Sequence, residues 1–190
     1  MPIYQLPNDE IIFPPVSGAE DGIVAIGGDL STERLELAYK SGIFPWYNID
    51  EPIIWWSPNP RFVLFPDDLK ISKSMKSILN KSDFKYTINQ DFEQVINNCK
   101  TISREGQKDT WITDEMKKAY IQLHKKGLAT SVEVWKNKQL VGGLYGVNLG
   151  AVFCGESMFT VESNASKFGF INFVLEFKKN GGKLIDCQVY

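Results

Sequence analysis

The chain has 190 residues, a formal net charge of −2, 43% hydrophobic residues and 23% charged residues. This balance is typical of a globular protein and excludes a fibrous or disordered one. No apolar stretch approaches the roughly 20 residues of a membrane-spanning helix, and the N-terminus, MPIYQLPNDE, lacks the pattern of a signal peptide. Three widely spaced cysteines favour a reducing cytoplasm over a disulfide framework.

The N-terminal third predicts a small domain of its own. Its first part is rich in Pro and Gly, which indicates turns and short strands. Ser31 is placed to cap a short helix that ends at Gly42, a residue suited to a left-handed helix end. Extended segments interrupted by prolines follow. We therefore separate a small N-terminal α/β domain, residues 1–66, from a larger domain, residues 67–190.

The larger domain begins with three predicted amphipathic helices. Apolar residues recur at helical spacing over 67–82 and again over 91–103. A third helix is predicted to begin at Thr113 or Asp114 and to end at Gly127.

Strand patterns dominate the rest of the chain. The runs SVEVW, QLVGGLYGV and AVFCGE are joined by links short enough for hairpins, which predicts an antiparallel meander. A helix from Ala165 to Lys179, capped by Ser163 or Asn164, then leads to a last strand, LIDCQVY. This crossover predicts that the last strand runs parallel to the third. The predicted fold class is α/β (α+β), a mixed sheet with flanking helices plus the small N-terminal domain.

Polar side chains interrupt the apolar strands at two places. The third run passes into Gly155-Glu156-Ser157, which we interpret as a turn that presents the Glu156 carboxylate. On the last strand, alternation places Asp186 and Gln188 on one face about 7 Å apart. Unpaired polar groups are costly to bury, so these side chains are candidates for the chemistry.

A series of motifs resembles the leucyl/phenylalanyl-tRNA–protein transferases. In chain order they are AIGGDLS, GIFPWY, WWSPNPR, WITDEM, EVW, LVGGLYGV, FCGESMF, NASK and GGKLIDCQ. The resemblance implies a GNAT-like (N-acetyltransferase-like) fold. It also implies transfer of Leu, Phe or Met from aminoacyl-tRNA to the N-terminus of proteins that begin with Arg or Lys, which marks them for N-end rule degradation. No cofactor is implied, because the donor ester is already activated.

The resemblance also suggests roles for the polar residues. Asp186 and Gln188 match positions proposed to move a proton away from the attacking amine. Since an ordinary Asp pKa of about 4 makes a poor base, we expect Asp186 mainly to orient Gln188 and to stabilise the amine as it gains charge. Glu156 matches a carboxylate near the cationic acceptor N-terminus. Trp46 and Trp111 match positions that stack on the terminal adenosine of tRNA.

An apolar slot is predicted for the side chain of the transferred amino acid. Its candidate lining residues are Leu144, Phe153, Gly155, Met158 and Ile185. From the residues alone, the alternative that these are ordinary core residues stays open.

A cluster of lysines resembles the basic helix that meets the tRNA acceptor stem in the family. Its members are Lys70, Lys73, Lys76 and Lys81. Clustered basic residues suit phosphate binding, although lysines on a helix are also typical of a solvated face.

Two other functions stay open. A GNAT acyltransferase would bind the pyrophosphate of acyl-CoA at a glycine-rich, basic helix start, whereas this chain carries Glu156 and Glu162 there. A non-catalytic tRNA- or peptide-binding module is the third possibility. It is favoured by our expectation that family members continue beyond Tyr190, so that the chain is truncated relative to them. With a single His and no CxxC pair, no metal site is predicted.

Overall fold

The computed structural model describes residues 3–102 and 111–189, and its strands form two sheets. The smaller sheet contains β1 (Tyr4–Leu6), β2 (Ile23–Gly27), β3 (Phe44–Pro45) and β4 (Ile54–Trp56). The larger sheet contains β5 (Val63–Leu64), β6 (Lys85–Ile88), β7 (Ala129–Lys136), β8 (Gln139–Asn148), β9 (Val152–Thr160) and β10 (Leu184–Asp186). The α-helices of the described residues are α1 (Thr32–Lys40), α2 (Lys73–Lys81), α3 (Phe92–Thr101), α4 (Asp114–Lys125) and α5 (Ala165–Lys179). The predicted mixed α/β class is confirmed.

The larger sheet has the strand order β5-β10-β9-β8-β7-β6. β7, β8 and β9 pair antiparallel in chain order, which confirms the predicted meander. β6, which was not predicted, pairs antiparallel with β7. β10 runs parallel to β9, with Ile185 opposite Phe153, as the crossover through α5 requires. β5 pairs with the outer side of β10, so a segment that precedes Pro66 joins the larger sheet. The domain division near Pro66 stays a prediction.

Side-chain caps set the starts of α1 to α4. In each helix a side-chain oxygen accepts a hydrogen bond from the backbone N–H three residues later, which satisfies a free donor of the first turn. The capping residues are Ser31, Ser72, Asp91 and Thr113. The predicted start of α2 at residue 67 was wrong, because residues Pro66–Asp68 form a 3₁₀ turn and the cap at Ser72 comes later.

The start of α5 differs from the other helix starts. Asn164 precedes the helix with a left-handed φ of 69, and its side chain makes no capping hydrogen bond. The predicted cap by Ser163 or Asn164 was therefore wrong, whereas the predicted bounds of the helix were right.

Helices cover both faces of the larger sheet. Side chains alternate along a strand, so neighbours on β8 point to opposite faces. Tyr145 packs in a cluster with residues of α3 and α4, such as Leu123. Leu144 packs in a second cluster with Phe173 and Val174 of α5. Across residues 3–102 and 111–189, no helix is both long enough and apolar enough to cross a membrane.

Candidate active site

Strands β9 and β10 part at the middle of the larger sheet. They pair only up to Cys154 and Asp186, and β9 then continues to Thr160. Beyond Asp186 the chain leaves the strand, since Gln188 has a left-handed φ of 65 that an extended strand does not use. The predicted strand alternation of Asp186 and Gln188 was therefore wrong. The gap between the diverging strands is where the candidate site lies.

Glu156 lies in a bulge inside β9, so the predicted Gly155-Glu156-Ser157 turn was wrong. On β8, Tyr145 pairs with Ser157 and the next residue, Gly146, pairs with Gly155. Glu156 is left as the extra residue on β9. Such bulges redirect a side chain from the regular alternation. Gly146 permits the close approach, because a Cβ there would lie 2.2 Å from the carbonyl oxygen of Cys154.

The Glu156 carboxylate is held by three donors from three parts of the chain. Tyr39 of α1 donates to Oε1 at 2.7 Å, and Gln188 Nε2 donates to the same oxygen at 2.7 Å. Tyr120 of α4 donates to Oε2 at 3.2 Å. The two tyrosine hydroxyls also hydrogen-bond to each other. The hydroxyls, the amide and the carboxylate thus form one connected cluster.

Burial determines the electrostatics of this cluster. It raises the pKa of Glu156 to about 7, against hydrogen bonds from Tyr39 and Tyr120 that lower it, and the charge of Asp186 adds to the rise. Burial, followed by the Glu156 charge, places the pKa of each tyrosine well above its ordinary range. The two hydroxyls therefore keep their protons, while Glu156 is balanced between its neutral and charged forms near neutral pH.

Asp186 is engaged by an ion pair. Arg61 Nε donates to Oδ1 at 2.8 Å and Nη2 donates to Oδ2 at 2.6 Å, a two-point contact that fixes the carboxylate. The backbone N–H of Gln188 also donates to Oδ1, at 2.8 Å. The guanidinium lies 4.8 Å from the centroid of the Phe44 ring and donates to the carbonyl of Gly42 at 3.3 Å. Asp186 therefore fixes the backbone at Gln188, and its role in orienting Gln188 for the reaction stays a prediction.

Two adjoining cavities open between the diverging strands. The larger, of about 400 Å³, is mainly apolar, and all five predicted slot residues line it. Its lining is Leu144, Tyr145, Phe153, Gly155, Glu156, Ser157, Met158, Phe170, Ile185 and Cys187. Leu144, Phe153 and Ile185 also belong to the buried cluster against α5, so these residues form the floor of the cavity as well as part of the core.

The smaller cavity, of about 190 Å³, brings the two predicted tryptophans together. Its lining is Phe44, Pro45, Trp46, Trp111, Gly155, Glu156, Cys187, Gln188 and Val189. Trp46 is 43% exposed and packs against Trp56, whose Nε1 donates to the Trp46 carbonyl at 2.7 Å. The two cavities share Gly155, Glu156 and Cys187, so the Glu156 carboxylate lies where they meet, whereas Asp186 lines neither.

Family models match most of the chain. The model described as "Leucyl/phenylalanyl-tRNA protein transferase" matches residues 63–190, and that of its N-terminal domain matches residues 28–59. The chain belongs to this family. A leucyl/phenylalanyl-tRNA–protein transferase of Flavobacterium johnsoniae is 63% identical over 189 residues, which cover 99% of this chain and 89% of that protein. Proteins of the same name from Christiangramia forsetii and Syntrophus aciditrophicus are 58% and 56% identical, covering 96% and 100% of this chain and 88% and 80% of theirs.

The lysines predicted to meet tRNA lie apart from both cavities of this transferase family member. Lys73, Lys76 and Lys81 lie on α2 with exposed side chains, and Lys70, also exposed, precedes the helix. Placing Lys70 on the basic helix was therefore wrong, because the chain becomes helical only after Ser72.

Sequence reasoning missed Arg61, Tyr39 and Tyr120 as site residues. The two tyrosines could have been considered as site residues from the sequence, because a buried tyrosine hydroxyl needs a hydrogen-bond partner. The partner of Tyr120, Glu156, comes from β9, far away in the sequence. Arg61 lies within the WWSPNPR motif, where Asp186 was not foreseen as its counter-ion. Among the described residues, no cluster of His, Cys, Asp and Glu is arranged to hold a metal ion.

Proposed function

We propose that this chain transfers Leu, Phe or Met from aminoacyl-tRNA to the N-terminus of proteins that begin with Arg or Lys, and so marks them for N-end rule degradation. Family membership supports the reaction class. The observation that carries the proposal is the meeting of an apolar cavity and an aromatic cavity at one carboxylate. An aminoacyl ester has one part to match each cavity, an apolar side chain for the first and an adenosine for the second. The reacting carbonyl lies between these two parts.

The apolar cavity would take the side chain of the transferred amino acid. Its walls are hydrophobic, and the charged group in its lining, Glu156, lies at the boundary with the smaller cavity. Neutral Leu, Phe and Met side chains gain from leaving water in such a pocket. Trp46 and Trp111 would stack on the terminal adenine, which needs an aromatic face and no base-specific hydrogen bonds. The exposed lysines of α2 would then contact the acceptor stem.

The acceptor amine would enter beside Glu156 and Gln188. A negative carboxylate favours a cationic N-terminal residue. The donor ester is activated, so positioning of amine and carbonyl supplies much of the rate. Gln188 is suited to this because it is held at both ends, by Asp186 through its backbone N–H and by Glu156 through its side chain. The GNAT-like classification and a cytoplasmic location fit this proposal.

The start of α5 argues against acyl-CoA as the donor. The N–H of Ala165 donates to the carbonyl of Glu162 at 3.0 Å, and that of Ser166 donates to Thr160 Oγ1 at 3.5 Å. A pyrophosphate would need these N–H groups. The Glu162 carboxylate beside them is paired with Lys136 at 2.6 Å, so it is the occupied N–H groups, and not repulsion by Glu162, that disfavour a pyrophosphate here.

One assay separates the three functions. The protein is incubated with Phe-tRNA and a peptide that begins with Arg, and in parallel with acetyl-CoA and the same peptide. Transfer from Phe-tRNA alone supports the proposal. Acetyl transfer would show a GNAT acyltransferase, and tRNA binding without transfer would show a binding module. Asp186→Ala is expected to lower transfer strongly while tRNA binding is kept, because Asp186 lines neither cavity.

A further inference from the structure

The attacking nitrogen must lose a proton during transfer, and two carboxylates of the site, Asp186 and Glu156, are candidates to receive it. Asp186 accepts two hydrogen bonds from Arg61 and one from the backbone of Gln188. Protonating Asp186 would break up this ion pair, and the residue lines neither cavity. Asp186 is therefore a positioning residue and not the group that receives the proton.

Glu156 has the access that Asp186 lacks, because it lines both cavities. Oε1 accepts hydrogen bonds from Tyr39 and Gln188, whereas Oε2 accepts one, from Tyr120. Each carboxylate oxygen has roughly two acceptor positions, so Oε2 retains one for a substrate.

The ring of hydroxyls around Glu156 accommodates either protonation state. The Tyr39 hydroxyl, the Tyr120 hydroxyl and the carboxyl group contact one another pairwise, which makes three contacts. The two tyrosines supply two protons for them. A neutral Glu156 supplies the third, whereas with an ionised Glu156 both hydroxyls donate to the carboxylate and the contact between the two hydroxyls holds no proton. A ring with this property holds the carboxyl group in place while its proton comes and goes.

We propose that Glu156 accepts and returns the proton of the transfer reaction, and that Tyr39 and Tyr120 hold the Glu156 side chain in place. This inference rests on the proposed function. The neutral α-amine forms the new C–N bond with the ester carbonyl carbon. Its surplus N–H proton passes to ionised Glu156. As the C–O bond to the ribose breaks, the proton passes from Glu156 to the departing ribose oxygen. The products are an amide and a free ribose hydroxyl, and Glu156 returns to its ionised form.

The surroundings of Glu156 suit this exchange. The titratable and charged groups that face it are Tyr39 on α1, Tyr120 on α4, Asp186 with its partner Arg61, and the thiols of Cys154 and Cys187. With its pKa raised to about 7, Glu156 both accepts and returns a proton at neutral pH. Tyr39 and Tyr120 are 3% and 0% exposed, so the side of the ring away from the cavities is closed to water.

The test is the pH dependence of single-turnover transfer from Phe-tRNA to an Arg-peptide, corrected for hydrolysis without acceptor. The wild type should show a rise in rate centred near pH 7 from Glu156, in addition to the rise from the amine near pH 8. Glu156→Gln should lose the rise at lower pH, here called the lower rise. It should also slow transfer by about 100-fold or more, with Phe-tRNA affinity unchanged. Tyr39→Phe should move the lower rise to higher pH, because the Tyr39 hydrogen bond lowers the pKa of Glu156.

Glu176→Gln is the matched control, since Glu176 also accepts a tyrosine hydroxyl, that of Tyr86 at 2.9 Å, and lines neither cavity. Its profile should equal that of the wild type. A lower rise that persists in Glu156→Gln but disappears in Asp186→Asn would overturn the inference. An unmoved rise in Tyr39→Phe would overturn it even if Glu156→Gln did not fold. Absence of transfer by the wild type would overturn the proposed function itself, and this inference with it.

Discussion

Removal of the Arg61 side chain should destabilise the fold and slow transfer together. Arg61→Ala deletes the two-point contact with Asp186, whose N–O distances are 2.8 and 2.6 Å. Breaking a fully buried pair from one side costs about 3–5 kcal/mol, because the remaining charge is left unpaired. The two side chains here keep 20% and 10% exposure, so water screens part of that cost. We therefore expect a loss of about 2–3 kcal/mol in the free energy of unfolding.

The assay is urea unfolding followed by tryptophan fluorescence, in a double-mutant cycle with Asp186→Ala. The pair should show a coupling energy of roughly 2 kcal/mol, and strict additivity within about 0.5 kcal/mol would refute the reasoning. Lys126→Ala is the control, because the Lys126–Glu33 pair is 52% and 60% exposed and should contribute little to stability. Transfer by Arg61→Ala should be slower than that of this control, since Gln188 loses its anchor.

Three further predictions concern the bulge, the carboxylate and the aromatic cavity. Gly146→Ala should cost roughly 3 kcal/mol or more in urea unfolding, because its Cβ would lie 2.2 Å from the Cys154 carbonyl oxygen; wild-type stability would contradict the bulge geometry. The free energy of unfolding should fall by up to about 3 kcal/mol as pH rises from 4.5 to about 7, because folded Glu156 retains a proton that the unfolded chain has lost. Glu156→Gln should remove this dependence of the free energy of unfolding on pH. An equal dependence in the variant would show that other groups cause it. Trp111→Ala should weaken Phe-tRNA binding by about 1–3 kcal/mol in a filter-binding titration, and unchanged affinity would remove Trp111 from the adenosine site.

The order β10-β9-β8-β7 in the larger sheet followed from sequence because its signals are local, whereas β5 and β6 were not predicted to join this sheet. Hairpin links set the meander, and a helix between two strands sets the parallel pairing of β10 with β9. The sequence analysis named, as slot residues, five of the ten residues that line the apolar cavity. Phe153 and Ile185 have the apolar character of core residues, so composition alone could not distinguish a pocket from a filled interior.

The errors arose where pairing partners far apart in sequence decide local structure. Beyond Asp186 the chain still bonds to Phe62 on the β5 side, but it leaves β9, and Gln188 turns to meet Glu156. The sequence LIDCQVY continues to favour a strand beyond that point. The bulge at Glu156 depends on the space that Gly146 provides on the neighbouring strand, which a local pattern does not reveal. Long-range contacts of this kind override strand propensity.

The hydroxyl of Tyr39 reaches Glu156 from α1, while the other members of the ring come from residues more than 80 positions later in the chain. Catalytic competence is thus a property of the assembled molecule and of no single half. A perturbation that separates Tyr39 from Glu156 should slow transfer even where circular dichroism still shows the full content of helix and strand. Inactivation would then serve as an early reporter of loosening at this junction.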